Sequence, residues 1–297
     1  WLYMTIRCSP EVAEAVHERL LPLSGNRGTV ERSAGKDVVV VGIYVPEDDE
    51  APAVLEKLTE LVRELREFFP AATVTGPRAE RIPAQDWEQL WRRHHKVLTI
   101  GRVVIKPTWL RAPEIPEGGV VVELEPQMAF GTGSHSSTQL ALLALQDHLH
   151  KGDVIADVGT GTGILAIAAA LLGAARVYAT DADPLAVRAA RANARLNGVA
   201  EVVAASAGEY LAGVPAPLDG VVANISPTAD EELVPLAAAH LRPGGFLVLS
   251  GFTNRAEERL RRALEDAGFA VTQRYAEAEW VCLGARKPGG DANSGNA

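Results

Sequence analysis

The chain has 297 residues, 47% of them hydrophobic, and carries 29 Lys and Arg against 38 Asp and Glu, a formal net charge of −9. That is enough chain for one or two domains with ordinary cores, and Cys8 and Cys282, at opposite ends with no CxxC or Cys/His spacing, exclude a disulfide scaffold, an iron–sulfur site and a structural zinc. The acidic balance argues against broad nucleic-acid binding, which needs a basic surface, and leans only weakly toward a cationic partner.

Residues 1–77 predict a small α+β unit. Trp1 to Cys8 suits a strand, and Glu11 to Leu23 is helical, with Val12, Ala15, Val16 and Leu20 on one side. Val30 to Arg32 and Asp37 to Val45 read as strands joined by the turn Ser33-Ala34-Gly35-Lys36. A second amphipathic helix runs from after Pro46 to about Phe69, and Thr73 to Thr75 adds a last short strand. The order βαββαβ is that of a ferredoxin-like split βαβ unit, a fold used more for binding than for chemistry.

Residues 78–95 form a linker, with Pro77 and Pro83 bracketing the charged run Arg78 to Arg81. Asp86 to His95 is then a helix that brings Trp87, Trp91 and His94 or His95 to one side, read first as packing residues that join linker to core. Val97 to Lys106 and Gly119 to Glu125 follow as strands, and Ser136 to Leu149 as a helix.

From Asp153 on, strand and helix alternate strictly. Strands at Val154 to Val158, Arg176 to Thr180, Val202 to Ala205, Gly220 to Ile225 and Phe246 to Ser250 go with helices at Ile164 to Leu172, Pro184 to Leu196, Thr228 to Leu241 and Ala256 to Ala267. This pattern predicts a mostly parallel sheet covered on both faces. Phe269 to Tyr275 and Trp280 to Arg286 close it as an antiparallel hairpin, and residues 288–297, rich in Gly, Ser and Asn, read as a disordered tail. No apolar run reaches the roughly 18 residues of a membrane span and no secretory leader opens the sequence, so a cytoplasmic location is expected.

The chemistry is carried first by Asp157-Val158-Gly159-Thr160-Gly161-Thr162-Gly163, a strand-to-helix turn. Gly159, Gly161 and Gly163 allow a tight turn and close approach of a ligand to the backbone. Taken alone, this turn serves nicotinamide, flavin and methyl-transfer enzymes alike. The next strand ends at Asp181, about 20 residues on, where a carboxylate accepts hydrogen bonds from both ribose hydroxyls. Asp183, just before Pro184, is assigned instead to capping the following helix. Asp157 directly before the first glycine suits a cationic or zwitterionic ligand better than a pyrophosphate. Asn224, ending the fourth strand of the alternating region ahead of Ile225-Ser226-Pro227, lies over the middle of the cleft, where its amide oxygen can accept from an amine.

Together these parts resemble a class I S-adenosylmethionine-dependent methyltransferase with a Rossmann-like seven-stranded sheet. The stretch Leu124-Glu125-Pro126-Gln127-Met128-Ala129-Phe130-Gly131-Thr132-Gly133-Ser134-His135-Ser136-Ser137-Thr138 narrows the likeness. With Asp86-Trp87, Lys106-Pro107-Thr108-Trp109, Glu279-Trp280 and the small N-terminal domain, it is similar to the methyltransferase family of ribosomal protein L11, the PrmA family, nearly throughout the chain to Lys287. The resemblance implies an enzyme whose residues 1–77 recognise the ribosomal protein and whose residues 96–287 methylate its lysine side-chain and N-terminal amines. It assigns Thr138, Gly159, Asp181 and Asn224 to the cofactor, S-adenosylmethionine, and sets the loop Phe130 to His135 over the reactive end. No metal, no membrane and no direct nucleic-acid contact are expected, and the protein is expected to be a monomer. Three positions depart from the family pattern: Gln127 stands for Gly, Ser136-Ser137 for a Pro-Thr or similar pair, and Ser226-Pro227 for Leu or Tyr and Ala, the last beside the amine pocket. His135, the only imidazole in the loop, is a candidate to orient substrate or pass a proton, with ordering of a helix terminus as the alternative.

Overall fold

The computed structural model describes residues 1–20, 23, 30–33, 38–48, 51–81, 97–111, 113–124 and 133–289. The chain divides into two compact units, residues 1–95 and 96–297. The linker helix expected at Asp86 to His95, with Trp87 and Trp91, lies outside the described residues, as do most of the loop around Phe130 and the tail from 290.

In the first unit, β1 (Leu2–Cys8), α1 (Pro10–Leu20), β2 (Val30–Ser33), β3 (Val39–Val45), α2 (Ala51–Phe68) and β4 (Val74–Arg81) follow one another, and the sheet has the order β2-β3-β1-β4. Alternate residues Met4, Ile6 and Cys8 of β1 and Val41 and Ile43 of β3 are buried in one cluster with Val16 of α1 and Leu58 of α2. Period-2 strands laid against period-3.6 helices yield such a two-layer unit. On the other face Tyr3 stacks on Tyr44 at 4.5 Å. The last strand is longer than the sequence suggests: it pairs with β1 from Val74 to Arg81. Arg78 to Arg81, read as a charged linker, is strand, and its charges suit an edge that must not recruit another strand.

The second unit opens with β5 (Leu98–Ile100), β6 (Val103–Pro107) and β7 (Val120–Leu124) in a three-stranded sheet. The single strand expected over Val97 to Lys106 is thus a hairpin, broken at Gly101-Arg102, where the Gln146 side chain accepts from the Arg102 N–H at 2.6 Å. After α3 (Ser136–His148) come β8 (Val154–Val158), α4 (Ile164–Leu171), β9 (Arg176–Asp181), α5 (Pro184–Leu196), β10 (Val203–Ala207) and β11 (Leu218–Asn224). They are followed by α6 (Pro227–His240), β12 (Leu241–Thr253), α7 (Asn254–Asp266), β13 (Ala270–Glu277) and β14 (Trp280–Arg286). The large sheet has the order β10-β9-β8-β11-β12-β14-β13, parallel through β12 and closed by the antiparallel β13–β14 hairpin. Both faces are covered, so successive residues of a strand serve different cores: Val222 packs with α3, α4 and α5, whereas Val221 and Ala223 pack with α6 and α7. Among the described residues no helix is long and apolar enough to cross a membrane.

Strict alternation fails at one place. No helix joins β10 to β11; the crossover over 208–217 is built of turns, and Leu211 and Val214 fill the core where a helix would sit. Gly208, Gly213, Pro215 and Pro217 within ten residues account for this. The strand order reverses between β8 and β11, and the carboxyl ends of these two strands flank the crevice where open α/β sheets bind ligands.

Candidate active site

The turn after β8 is held by Asp157. Its carboxylate, wholly buried, accepts from Thr160 Oγ1 at 2.7 Å and from the Ala166 N–H at 3.0 Å, drawing the glycine turn onto the start of α4. Burial pushes its pKa up to about 7 against the opposing effect of those two hydrogen bonds, and its Oδ1 meets no donor among the described residues. Gly159 has a φ of 70°, and a Cβ there would lie 2.3 Å from Ile225 Cγ2. The glycine turn therefore packs directly on the β11 motif, a contact that a larger residue forbids. Gly163, at the N-cap of α4, is likewise pressed against Ala190 of α5.

Asp181 closes the next side. Its Oδ2 accepts from the Gly161 N–H and its Oδ1 from the Asp183 N–H, each at 2.9 Å. A carboxylate oxygen has lone pairs for more than one donor, so both remain able to receive ribose hydroxyls. Asp183 caps α5 by accepting from the Leu185 N–H at 2.8 Å, with Pro184 in the first helical position, as the sequence predicts. Leu185 itself is 58% exposed and sets an apolar surface beside Asp181 that sequence reading did not single out.

Asn224 ends β11. Its Nδ2 donates to Thr138 Oγ1 at 3.0 Å, which fixes the amide plane, while its Oδ1 is buried and meets no donor among the described residues. A buried acceptor without a partner costs about 1–3 kcal/mol, so this oxygen marks a place for an N–H or O–H donor from a ligand. Ser250 Oγ, from β12, donates to the Ser137 carbonyl at 2.9 Å and pins the start of α3 to the same strand ends. Two of the residues assigned to the cofactor, Thr138 and Asn224, are thus in contact.

His135 is the N-cap of α3. Its Nδ1 accepts from the Ser137 N–H at 3.3 Å and lies 2.7 Å from Ser137 Oγ, so the helix-ordering alternative is realised. The Trp280 ring meets it edge-on at 4.4 Å. Burial lowers its pKa, partly countered by the Glu279 carboxylate, so the imidazole is neutral near pH 7. Phe130 lies outside the described residues. Ser226 caps α6 through the Ala229 N–H, with Pro227 in the first turn, which gives the departing Ser-Pro pair a local structural purpose.

One group was invisible in the sequence. Asp230, in the first turn of α6, is wholly buried, its pKa is raised well above the usual carboxylate range by that burial and then by Glu231, and neither oxygen meets a donor among the described residues. An acid near a helix start reads as an ordinary solvent-exposed residue complementing the helix dipole. Only the helix's rotation about its axis turns it inward.

A family model described as ribosomal protein L11 methyltransferase (PrmA) matches residues 1–288. Proteins named ribosomal protein L11 methyltransferase are similar over nearly the whole chain. The one from Pelotomaculum thermopropionicum is 37% identical, covering 96% of this chain and 98% of its own. That from Geobacter metallireducens is 39% identical, covering 95% and 97%. Among solved structures, ribosomal protein L11 methylase from Lactobacillus delbrueckii subsp. bulgaricus superposes with a TM-score of 0.61 at 33% identity, over 65% of this chain and 98% of its own.

Proposed function

The chain belongs to the ribosomal protein L11 methyltransferase (PrmA) family, and on that premise we propose that it methylates lysine side-chain and N-terminal amines of ribosomal protein L11 with S-adenosylmethionine as donor. The observation that carries the reading at the level of chemistry is the buried, unpartnered Oδ1 of Asn224, held by Thr138 at the centre of the cleft. An incoming neutral amine has N–H groups to give to that oxygen and a lone pair left to react.

When bound, the cofactor supplies an electrophilic methyl group on a sulfonium. Asp181 would receive its ribose and the glycine turn from Gly159 to Gly163 would admit it close to the backbone, while the buried Asp157 holds that turn in shape through Thr160 Oγ1 and the Ala166 N–H. The donor set fits such a group: carboxylates and carbonyls rather than the basic side chains a pyrophosphate needs.

The chain's remaining task is to line up nitrogen with the methyl carbon and to keep that nitrogen neutral. Alignment of bound reactants supplies several kcal/mol of the barrier. Deprotonating a free lysine, pKa about 10.4, costs roughly 4.6 kcal/mol at pH 7, against about 1 for an α-amine near 7.8. The terminal amine is the easier nucleophile, and a lysine depends on desolvation in the cleft and repulsion from the sulfonium. His135 orders the start of α3 beside this place as a neutral imidazole. Residues 1–81, through the end of β4, are assigned to substrate recognition, residues 82–95 to the linker and residues 96–287 to transfer. The protein works as a monomer in the cytoplasm.

Purified protein incubated with labelled S-adenosylmethionine and ribosomal protein L11, or with a cell lysate, is the test. Mass spectrometry should find methylated lysines and α-amine on L11; label only on another protein overturns the substrate. Calorimetric binding of S-adenosylhomocysteine, with no spectroscopic response to NADH, separates the reading from an oxidoreductase.

A further inference from the structure

The helix-free crossover between β10 and β11 begins at a residue with an unusual conformation. Tyr210 has a φ of 49°, the left-handed region that non-glycine residues adopt at a cost. Its carbonyl accepts from Thr180 Oγ1 at 2.6 Å. Thr180 is itself buried, and its carbonyl receives the N–H groups of Gly159 and Thr160 at 2.9 and 3.0 Å. At its other end the Tyr210 hydroxyl donates to Glu232 Oε2 on α6 at 2.6 Å. One residue thus bridges the point where the strand order reverses, from the glycine turn to the helix that starts three residues after Asn224.

That helix needs holding. Its inward face carries the unpartnered Asp230 carboxyl, which weakens its docking on the sheet, while on its outer side Glu231 pairs with Arg259 of α7 and Glu232 with Tyr210. Leu233, Val234 and Ala237 seat the middle of the helix in the core, and the outer tethers act on its first turns, where the inward residue is Asp230.

We propose that Tyr210 is a positioning residue for methyl transfer: bonded to Thr180 through its backbone and to Glu232 through its hydroxyl, it fixes the start of α6, and with it Asn224, against the glycine turn. The inference rests on the methyltransferase reading. Losing the hydroxyl leaves the Thr180 bond in place, so the amine side loosens while the cofactor side stays.

The experiment measures kcat for methyl transfer to L11 at saturating substrates, S-adenosylhomocysteine affinity by calorimetry, and thermal unfolding. Tyr210→Phe should lower kcat about fivefold, with cofactor affinity and melting temperature nearly unchanged, since small misplacements of reacting groups are read in kcat. Glu232→Ala should match it, the double variant should add no further loss, and Glu232→Gln, whose amide oxygen still accepts, should recover most of the turnover. Wild-type turnover in Tyr210→Phe, losses that multiply in the double variant, or falls in affinity and melting temperature that parallel kcat would each overturn the inference alone. A wild-type protein that transfers no methyl group overturns the methyltransferase reading and takes the inference with it.

Discussion

The two sides of the cleft are built differently. On the side proposed for the cofactor, Asp157, Thr160, Gly161, Asp181 and Asp183 are joined by hydrogen bonds among residues close in sequence, at most 20 apart. On the side proposed for the amine, Asn224 is held by Thr138 from 86 residues away, and Ser250 reaches Ser137 across 113. The first side is a local motif whose polar groups are mostly joined to one another, with one buried acceptor atom, Asp157 Oδ1, lacking a donor among the described residues. The second is assembled only by the fold, and it keeps two buried acceptor groups, Asn224 Oδ1 and the Asp230 carboxyl, without donors among the described residues.

The contrast is broken most severely at Asn224. Asn224→Ala removes the acceptor and should slow single-turnover transfer about 10²- to 10³-fold, the scale seen when one preorganised polar group is deleted from an active site. The protein should still fold and still bind S-adenosylhomocysteine through Asp181; near-normal single-turnover rates would remove Asn224 from the chemistry. Thr138→Val is the next step down. It keeps the shape but leaves Asn224 Nδ2 without its acceptor, so kcat should fall about tenfold, more than cofactor affinity does. If affinity instead falls as far as kcat, Thr138 serves the cofactor side directly.

The local hydrogen-bonded motif proposed for the cofactor is legible in the sequence for this reason. The glycine turn, the acid about 20 residues on and the Asp183-Pro184 cap are short-range patterns with their own physics. The strand and helix order of both units followed from periodicity, since each element buries one face or two. What periodicity did not show was where chain far apart in sequence meets: that Asp230 turns inward, that Thr138 orients Asn224, or that Trp280 lies against His135. The helix-free crossover agrees with the lack of any helical pattern between Ala205 and Gly220, where Gly208, Gly213, Pro215 and Pro217 stand, although strict alternation would put a helix there. The strand character of Arg78 to Arg81 was hidden because an exposed edge tolerates the charges of a linker.

Asp230 sharpens the comparison through stability instead of rate. Its folded pKa is raised, so its penalty is absent below the unfolded value of about 3.9 and grows as pH rises from there toward the folded pKa. Replacing it by Leu should stabilise the protein by about 1–3 kcal/mol near neutral pH and by much less at pH 4, read from chemical unfolding at both. An equal gain at both values would mean that the carboxyl is not the source of the penalty. Gly159 on the cofactor side offers no such gain, because its missing side chain is what lets Ile225 pack there.

The smallest effect is expected at His135, and two substitutions are needed to read it. His135→Ala removes both the cap of α3 and the ring, costing about 1 kcal/mol of stability and a modest part of the turnover, with cofactor affinity unchanged. His135→Asn keeps a side-chain acceptor for the Ser137 N–H but has no group that can pass a proton near neutral pH. If His135 acts by capping, Asn restores both melting temperature and turnover, because the start of α3 again holds Thr138 against Asn224. If the ring moves a proton, Asn restores the melting temperature alone, and the pH dependence of kcat loses a group whose pKa lies below that of ordinary histidine. The neutral imidazole already spends Nδ1 on Ser137, so the first outcome is the expected one, and it would leave the amine to lose its proton to solvent before it meets Asn224.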